Sequence, residues 1–420
     1  MSHRNIIEVG DALECLGRLP DGSAQCCISS PPYWSLRDYQ VEGQYGLEKD
    51  PGEWVAKMVE VFREVKRVLR DDGVLFLNVG DSYASGGRGG NPTVDSSTLE
   101  GSQNNQEQSM IRRSIAPPAG LKPKDLIGLP WMLAFALRAD GWWLRSDIIW
   151  HKNNPMPSSV KDRPTSAHEY IFLLSKAARY FYDAEAVREP STSGRDDMMT
   201  KGLRTGLAYV EQAGPQDNSY KSKKPDGWAT HDGGHGSFHR DGREKGAPAV
   251  IRSGRNARDV WTIPTQSFPG AHFATFPEEL VRRCVLASTS EKGACAECGA
   301  PLMRIIENPK IPDELRNREG TKMDYHTRQI GGGQGIQDWR EQNPPRTVGW
   351  KLSCSCGTSE IQPCLVIDIF MGSGTVGVVA KRLWRDYWGC DLNPEYVKMA
   401  EKRIARTAPA EKQGMLWGKS

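Results

Sequence analysis

The sequence predicts an α/β fold built on a parallel sheet, and three observations carry that expectation. Short apolar runs alternate with amphipathic helical stretches near both ends of the chain, the pattern that βαβ crossovers produce. The composition, 38% hydrophobic and 25% charged over 420 residues, suits a globular protein that buries a real core. The 43 glycines and 27 prolines require long connections between regular elements.

SAQCCIS is a short buried strand ending at Ser30-Pro31-Pro32. Residues 53–69 repeat apolar side chains at helical spacing, Asp71-Asp72-Gly73 supplies a turn, and VLFLNVG follows as a second buried strand. Residues 85–122 are polar and glycine-rich and read as a mobile loop. A helix over 125–138 precedes LRSDIIWHK and EYIFLLSK, two strands joined by a proline-rich connection. Residues 190–258 mix basic and aromatic side chains with many glycines and cannot bury much surface alone. They could contact phosphates and stack on bases, or form a solvated insertion with no partner. A short amphipathic helix over 277–287 follows. The last block reads strand (364–369), glycine turn, helix (375–383), strand (387–390), acidic residue, helix (394–406).

No apolar run approaches the ~20 residues that cross a bilayer, and the N-terminal stretch lacks the apolar core of a secretory signal, so the expected location is the cytosol. The net charge of +3 neither demands nor excludes a polyanionic partner. Ten cysteines in such a chain are expected as thiols or metal ligands, not as a disulfide framework.

Three constellations carry chemistry. A strand that delivers Asp368 into Phe370-Met371-Gly372-Ser373-Gly374 and then a helix brings backbone close to a ligand, and Asp391 at the next strand end can receive two ribose hydroxyls. Such a turn can also close a strand on a helix with no ligand. In Ser30-Pro31-Pro32-Tyr33 the prolines fix the backbone and aim its carbonyls outward. An exocyclic amino group is a poor nucleophile because its lone pair is delocalised into the ring. Two acceptors gripping its hydrogens, Ser30 Oγ and the Pro31 carbonyl, would favour the reactive pyramidal form, and Tyr33 could stack on the base for ~1–3 kcal/mol. The plainer alternative is a turn that ends a strand. Cys295-x-x-Cys298 and Cys354-x-Cys356, each followed by glycine, have the spacing of knuckles that close around tetrahedral structural zinc. Cys15, Cys26, Cys27, Cys284, Cys364 and Cys390 sit in apolar contexts and are expected to be buried. His151, His168 and His272 are assigned no catalysis, and His231, His235 and His239, among glycines, no metal site.

Taken together, these stretches resemble the S-adenosylmethionine-dependent DNA amino-methyltransferases, in the group whose catalytic motif precedes the cofactor motif. The resemblance runs through Gly10-Asp11, LPDGSAQCCISSPPYW, VLRDDGVLFLNVGD, SDIIWHKNNPMP, HFATFPEELVRRCV and DIFMGSGT with GCDLNPEY. It implies a doubly wound, mostly parallel seven-stranded sheet in circularly permuted order. It also implies that Asp368, Phe370, Gly372 and Gly374 surround the methionine part of S-adenosylmethionine, with Asp391 on the ribose and Asp11 at the adenine amino group. Thr275 and Phe276 match the segment that closes over the cofactor, and Ser30, Pro31, Pro32 and Tyr33 match the target-amino motif.

The implied activity is direct methyl transfer to the exocyclic amino group of a base flipped out of double-stranded DNA, with a cognate restriction endonuclease as a candidate partner. Serine at the head of the tetrapeptide favours N4 of cytosine over N6 of adenine. Two other readings stay open: a methyltransferase for protein or RNA amide nitrogen, and a non-catalytic zinc-stapled DNA-binding protein. The implied organisation is a catalytic half of the core (1–84), a mobile loop (85–122), core (123–189), a target-recognition insertion (190–258) and a cofactor-closing core segment (259–290). A zinc-ribbon-like insertion (291–360), the cofactor half of the core (361–408) and a tail (409–420) complete it. The oligomeric state is not legible.

Overall fold

The computed structural model describes residues 3–84, 120–189, 255–266, 276–313, 339, 343 and 345–410. Most of the expected loop at 85–122 and of the insertion at 190–258, together with Thr275, His231, His235, His239 and His272, lie outside the described residues.

Strand β1 (Ile6–Val9) leads into α1 (Ala12–Leu16), β2 (Ala24–Ser29), α2 (Pro51–Val68) and β3 (Leu69–Val79). Helix α2 starts where Asp50 accepts the Glu53 N–H at 2.9 Å with Pro51 in the first turn, and it buries Trp54, Met58, Val61, Phe62 and Val65 along one stripe. Helix α3 (Leu129–Ala139), β4 (Trp143–His151), β5 (His168–Ser175), β6 (Val260–Thr262) and α4 (Glu278–Ser288) follow. The short strands β7 (Ala294–Cys295), β8 (Leu302–Glu307), β9 (Arg346–Leu352) and β10 (Ile361–Gln362) form two two-stranded sheets, β7 with β10 and β8 with β9. The chain then returns to the main sheet through β11 (Leu365–Asp368), α5 (Thr375–Arg382), β12 (Asp386–Asp391) and α6 (Pro394–Ala405).

The main sheet has the order β1-β12-β11-β2-β3-β5-β4-β6. Its pairs are parallel from β1 to β3, and β5 runs antiparallel to both β3 and β4. It therefore has eight strands among the described residues, one more than the family resemblance implies. The extra one is β6, a three-residue edge strand parallel to β4, seamed by the Trp150 indole N–H donating to the Ile263 carbonyl at 2.8 Å. Side chains alternate across the sheet: Cys27, Leu75, Leu77, Phe172 and Ile367 meet α1 to α3, whereas Cys26, Ile28, Val74, Phe76 and Val366 meet α4 to α6. Both faces are covered, as a doubly wound sheet requires.

Two local expectations fail. Asp71-Asp72-Gly73 is not a turn between helix and strand, because β3 begins at Leu69 opposite Ala24 and resumes its ladder with Val74 opposite Cys26. The polar residues fill an irregularity inside the strand. Helix α3 starts at Leu129, not at 125, since Gly128 adopts φ +78° and Pro130 occupies the first turn. Asp81 takes the place of an N-cap from across the fold, accepting from the Gly128 and Leu129 N–H groups, each at 3.1 Å.

The chain divides into two units, and the eight-stranded sheet and the four paired cysteines lie in the first, Met1–Val187 with Arg258–Arg304 and Trp350–Ser420. No helix among the described residues is long and apolar enough to cross a membrane.

Candidate active site and cysteine cluster

Strands β2 and β11 are parallel neighbours with Cys27 beside Ile367, so their carboxyl ends release Ser29-Ser30 and Asp368 side by side. The Ser29 hydroxyl donates to Asp368 Oδ1 at 2.7 Å, joining residues 339 positions apart. Asp368 is 1% exposed. Burial pushes its carboxyl up to about 7, although Ser29 and the Phe370 N–H both favour the charged form. Its Oδ2 has no hydrogen-bond partner among the described residues.

The glycine turn beyond it needs its glycines. Gly372 and Gly374 sit at φ +49° and +78°, and a Cβ on Gly374 would stand 2.8 Å from the Ala400 Cβ. The Gly372 N–H donates to Asp391 Oδ2 at 2.8 Å, and the Asn393 N–H to Asp391 Oδ1 at 2.9 Å. Burial raises the Asp391 carboxyl as well. Phe370 packs edge-on against Tyr45 at 5.9 Å, and the Tyr45 hydroxyl donates to Asp11 Oδ2 at 2.9 Å. Asp11 is thereby tied to the glycine turn, but its Oδ1 already caps α1 through the Leu13 N–H at 2.8 Å. Phe276 packs against the core on the α4 to α6 face.

Tyr33 sits across the end of β3, where Gly80 leaves room for its ring. The Ser30 hydroxyl donates to the Tyr33 oxygen at 3.1 Å, and Tyr33 donates toward Glu169 Oε2 at 3.1 Å and Asn78 Oδ1 at 3.4 Å. Asn78 in turn donates to Glu169 Oε2, and Lys152 Nζ bonds Glu169 Oε1. Burial, then the Glu169 charge, pushes the Tyr33 hydroxyl well above its ordinary range.

The Pro32 carbonyl accepts the Trp54 indole N–H at 3.0 Å, because α2 passes beneath the loop and braces it. Sequence reasoning did not find Ser29, Asn78, Lys152, Glu169 or Tyr45. A signal existed for one of them: Asn78 is a polar residue inside the apolar run VLFLNV, and a buried amide needs partners.

The cysteine pairs converge. The Sγ atoms of Cys295, Cys298, Cys354 and Cys356 all lie within 4.8 Å of one another. Four thiols at that spacing are a donor set that fits tetrahedral zinc with every position filled. The cluster is fastened to the opposite end of the strands from Ser30: Gln25, near the start of β2, donates to the Gly299 carbonyl at 2.8 Å and accepts the Leu365 N–H. The six cysteines expected to be buried are all buried.

A family model for DNA methylases matches residues 24–296 and 359–402. The chain belongs to the N6/N4 family of DNA methylases. It is 37% identical over 395 residues to the Type II methyltransferase M.Cfr9I of Citrobacter freundii, covering 94% of this chain and 86% of that protein. The Type II methyltransferase M.XycI of Xanthomonas campestris pv. cyanopsidis matches with the same identity and shares. The Type II methyltransferase M.SmaI of Serratia marcescens is 35% identical over 400 residues, 95% of this chain and 90% of that protein.

Gly372, Gly374 and Gly377 also have the G-x-G-x-x-G spacing of dinucleotide turns, so the turn alone does not choose the nucleotide. Membership among these S-adenosylmethionine-dependent amino-methyltransferases does. The residues of this DNA methylase fit that cofactor: the turn lets backbone approach a ligand, and the buried Asp368 Oδ2, without a partner among the described residues, suits a cationic amino group.

Proposed function

We propose that this DNA methylase transfers a methyl group from S-adenosylmethionine to the exocyclic amino group of a base flipped out of double-stranded DNA, with N4 of cytosine the favoured target. The observation that carries the reading is the Ser29–Asp368 hydrogen bond. It puts the start of the target-amino loop against the strand end that opens the glycine turn, as transfer between two ligands held side by side demands.

In this reading Asp368 Oδ2 receives the methionine ammonium, Gly372 and Gly374 let the backbone close on it, and Asp391 meets the ribose. Phe370 lines the same pocket, Asp11 stands at its adenine end, and Thr275 and Phe276 close it. When bound, the cofactor supplies an electrophilic sulfonium methyl. Ser30 Oγ and the Pro31 carbonyl accept the two amino hydrogens of the target and draw its nitrogen toward the pyramidal form. Tyr33 offers its ring to the base, with its hydroxyl end held by Glu169 and Asn78. Such positioning can supply ~7–11 kcal/mol of the barrier reduction without a covalent enzyme intermediate. The extruded base costs a few kcal/mol, offset by pocket contacts.

Serine at position 30 supports cytosine over adenine. The four-cysteine cluster is proposed as a structural zinc site, residues 190–258 as the target reader, and a restriction endonuclease as the functional counterpart, as the Type II names of the relatives suggest.

The test is transfer of tritiated methyl to unmethylated DNA followed by nucleoside analysis. N4-methylcytosine is expected. N6-methyladenine would reassign the base, and either no labelled nucleoside or full turnover in both Ser30→Ala and Tyr33→Ala would end the proposal.

A further inference from the structure

The hydrogen bonds around Tyr33 have a direction that can be worked out atom by atom. The Glu169 carboxylate is an acceptor only. Its Oε1 faces Lys152 Nζ, which leaves Oε2 for the Tyr33 side. Asn78 spends both amide hydrogens, one on Glu169 Oε2 and one on the Tyr170 carbonyl, each at 3.1 Å, so the atom it turns to Tyr33 is its acceptor Oδ1. Tyr33 thus meets two acceptors and must donate its single hydrogen to them. Its oxygen is then left to accept, from the Gly80 backbone N–H and from the Ser30 hydroxyl 3.1 Å away, one on each lone pair. With its hydrogen committed to Tyr33, Ser30 Oγ presents only lone pairs to whatever enters beside it.

We infer that Glu169 is a positioning residue which, acting through Tyr33, makes Ser30 an obligate hydrogen-bond acceptor, and so selects an amino group over a ring carbonyl as the target. This deepens the methyl-transfer reading above and rests on it. The burial of the Tyr33 hydroxyl beside the Glu169 charge, which keeps it protonated, agrees with its donor role. Lys152 supports the arrangement by occupying the other carboxylate oxygen. A ring carbonyl at the target position would face an oxygen that has no hydrogen to give, whereas an amino group meets the acceptor it needs.

The experiment is a double-mutant cycle on the single-turnover rate of the full chain with tritiated S-adenosylmethionine and duplex DNA. Glu169→Gln should slow transfer roughly 5- to 100-fold with cofactor affinity unchanged, and should slow it no further in a Tyr33→Phe background. As a second variant, Glu169→Ala should be rescued in part by added acetate or formate, and not when combined with Tyr33→Phe. Equal losses in both backgrounds would make Glu169 a support of the fold and overturn the inference, as would a wild-type rate for Glu169→Gln. If Ser30→Ala and Tyr33→Ala themselves kept full turnover, the proposed function would fall first, whereas a wild-type rate for Tyr33→Phe alone would overturn the inference. If the two alanine variants are slow and Glu169→Gln is not, only the inference falls.

Discussion

Gly80 abuts the ring of Tyr33 so closely that a Cβ at position 80 would lie 2.7 Å from Cε2 and 3.4 Å from Cζ. Strand β3 ends one residue earlier, and the missing side chain is what lets the aromatic cross its end. Ring and backbone cannot both hold their places if that position gains a methyl group. Gly80→Ala should therefore displace Tyr33 and lower the methyl-transfer rate at least about 10-fold, the scale of loss when a positioning group shifts by a fraction of its own size. Cofactor binding should be unchanged, since Asp368 and Asp391 lie on β11 and β12. Rapid-quench transfer and equilibrium dialysis check the two halves, and a wild-type rate would free Tyr33 from any positional demand.

Asp368 predicts a proton linkage. Its carboxyl, ordinarily near 3.8, is raised by burial to about 7, so below that pH the ligand-free protein keeps a proton there. A cationic ammonium against Oδ2 favours the carboxylate, so S-adenosylmethionine binding near pH 6 should release up to one proton, and binding near pH 8 almost none. Affinity should tighten as pH rises across that interval. The sign for folding is opposite: between about 4 and 7 the folded state holds a proton that the unfolded chain has lost, so this group's effect on stability worsens as pH rises through that window. Calorimetry in buffers of different ionisation enthalpy reads the linkage directly. Equal proton release at pH 6 and 8 would place the ammonium elsewhere.

The cysteine cluster predicts a metal that stabilises without catalysing. From Gln25, which bonds the knuckle, to Ser30 is five residues of extended chain, on the order of 17 Å at ~3.3 Å each. One zinc per chain is expected by elemental analysis, and less than half of that in Cys354→Ser. A chelator should lower the melting temperature by several degrees, yet leave the rate per folded molecule at 25 °C within about twofold, since a site with four protein ligands holds no open position for substrate. Loss of turnover at an unchanged melting temperature would contradict the structural assignment.

What could be read from sequence divides along a physical line. Strand β2, helix α2 and the run from β11 to α6 were legible because each is specified by its own period and its own punctuation. Ser30 to Tyr33 and Asp368 to Gly374 were legible for the same reason, since a fixed turn at a strand end is local backbone chemistry. The residues that hold them were not. Glu169 reaches Tyr33, and Lys152 reaches Glu169, only because β5 and β4 pair antiparallel beside β3, a register that no short window contains. Ser29 meets Asp368 only because β11, last but one in the chain among the sheet strands, slots next to β2. Asp71-Asp72-Gly73 misled for the converse reason: it has the composition of a turn, but pairing on either side of it with β2 carries the strand through. Asp11 caps α1 with one oxygen and accepts the Tyr45 hydroxyl with the other, and neither partner is adjacent to a motif that announces it.

Asp391 offers the most discriminating substitution in the cofactor half. Its two oxygens each accept one backbone N–H, Oδ2 from Gly372 and Oδ1 from Asn393, so the side chain staples the glycine turn to the start of α6. Asparagine has the same shape but only one acceptor atom. Whichever way the amide turns, its NH2 group must face one of the two N–H donors, leaving a half-buried donor unpaired at a cost of about 1–3 kcal/mol. Asp391→Asn should therefore lower the melting temperature even without ligand, and should weaken S-adenosylmethionine at least about 10-fold as the turn loosens and a ribose acceptor is lost. Asp391→Glu separates the contributions: it keeps the charge and both acceptors but cannot place them on both amides, so it should share the thermal loss. Thermal unfolding with and without cofactor measures both effects. An Asp391→Asn protein with unchanged ligand-free stability would show that the staple does not hold the turn.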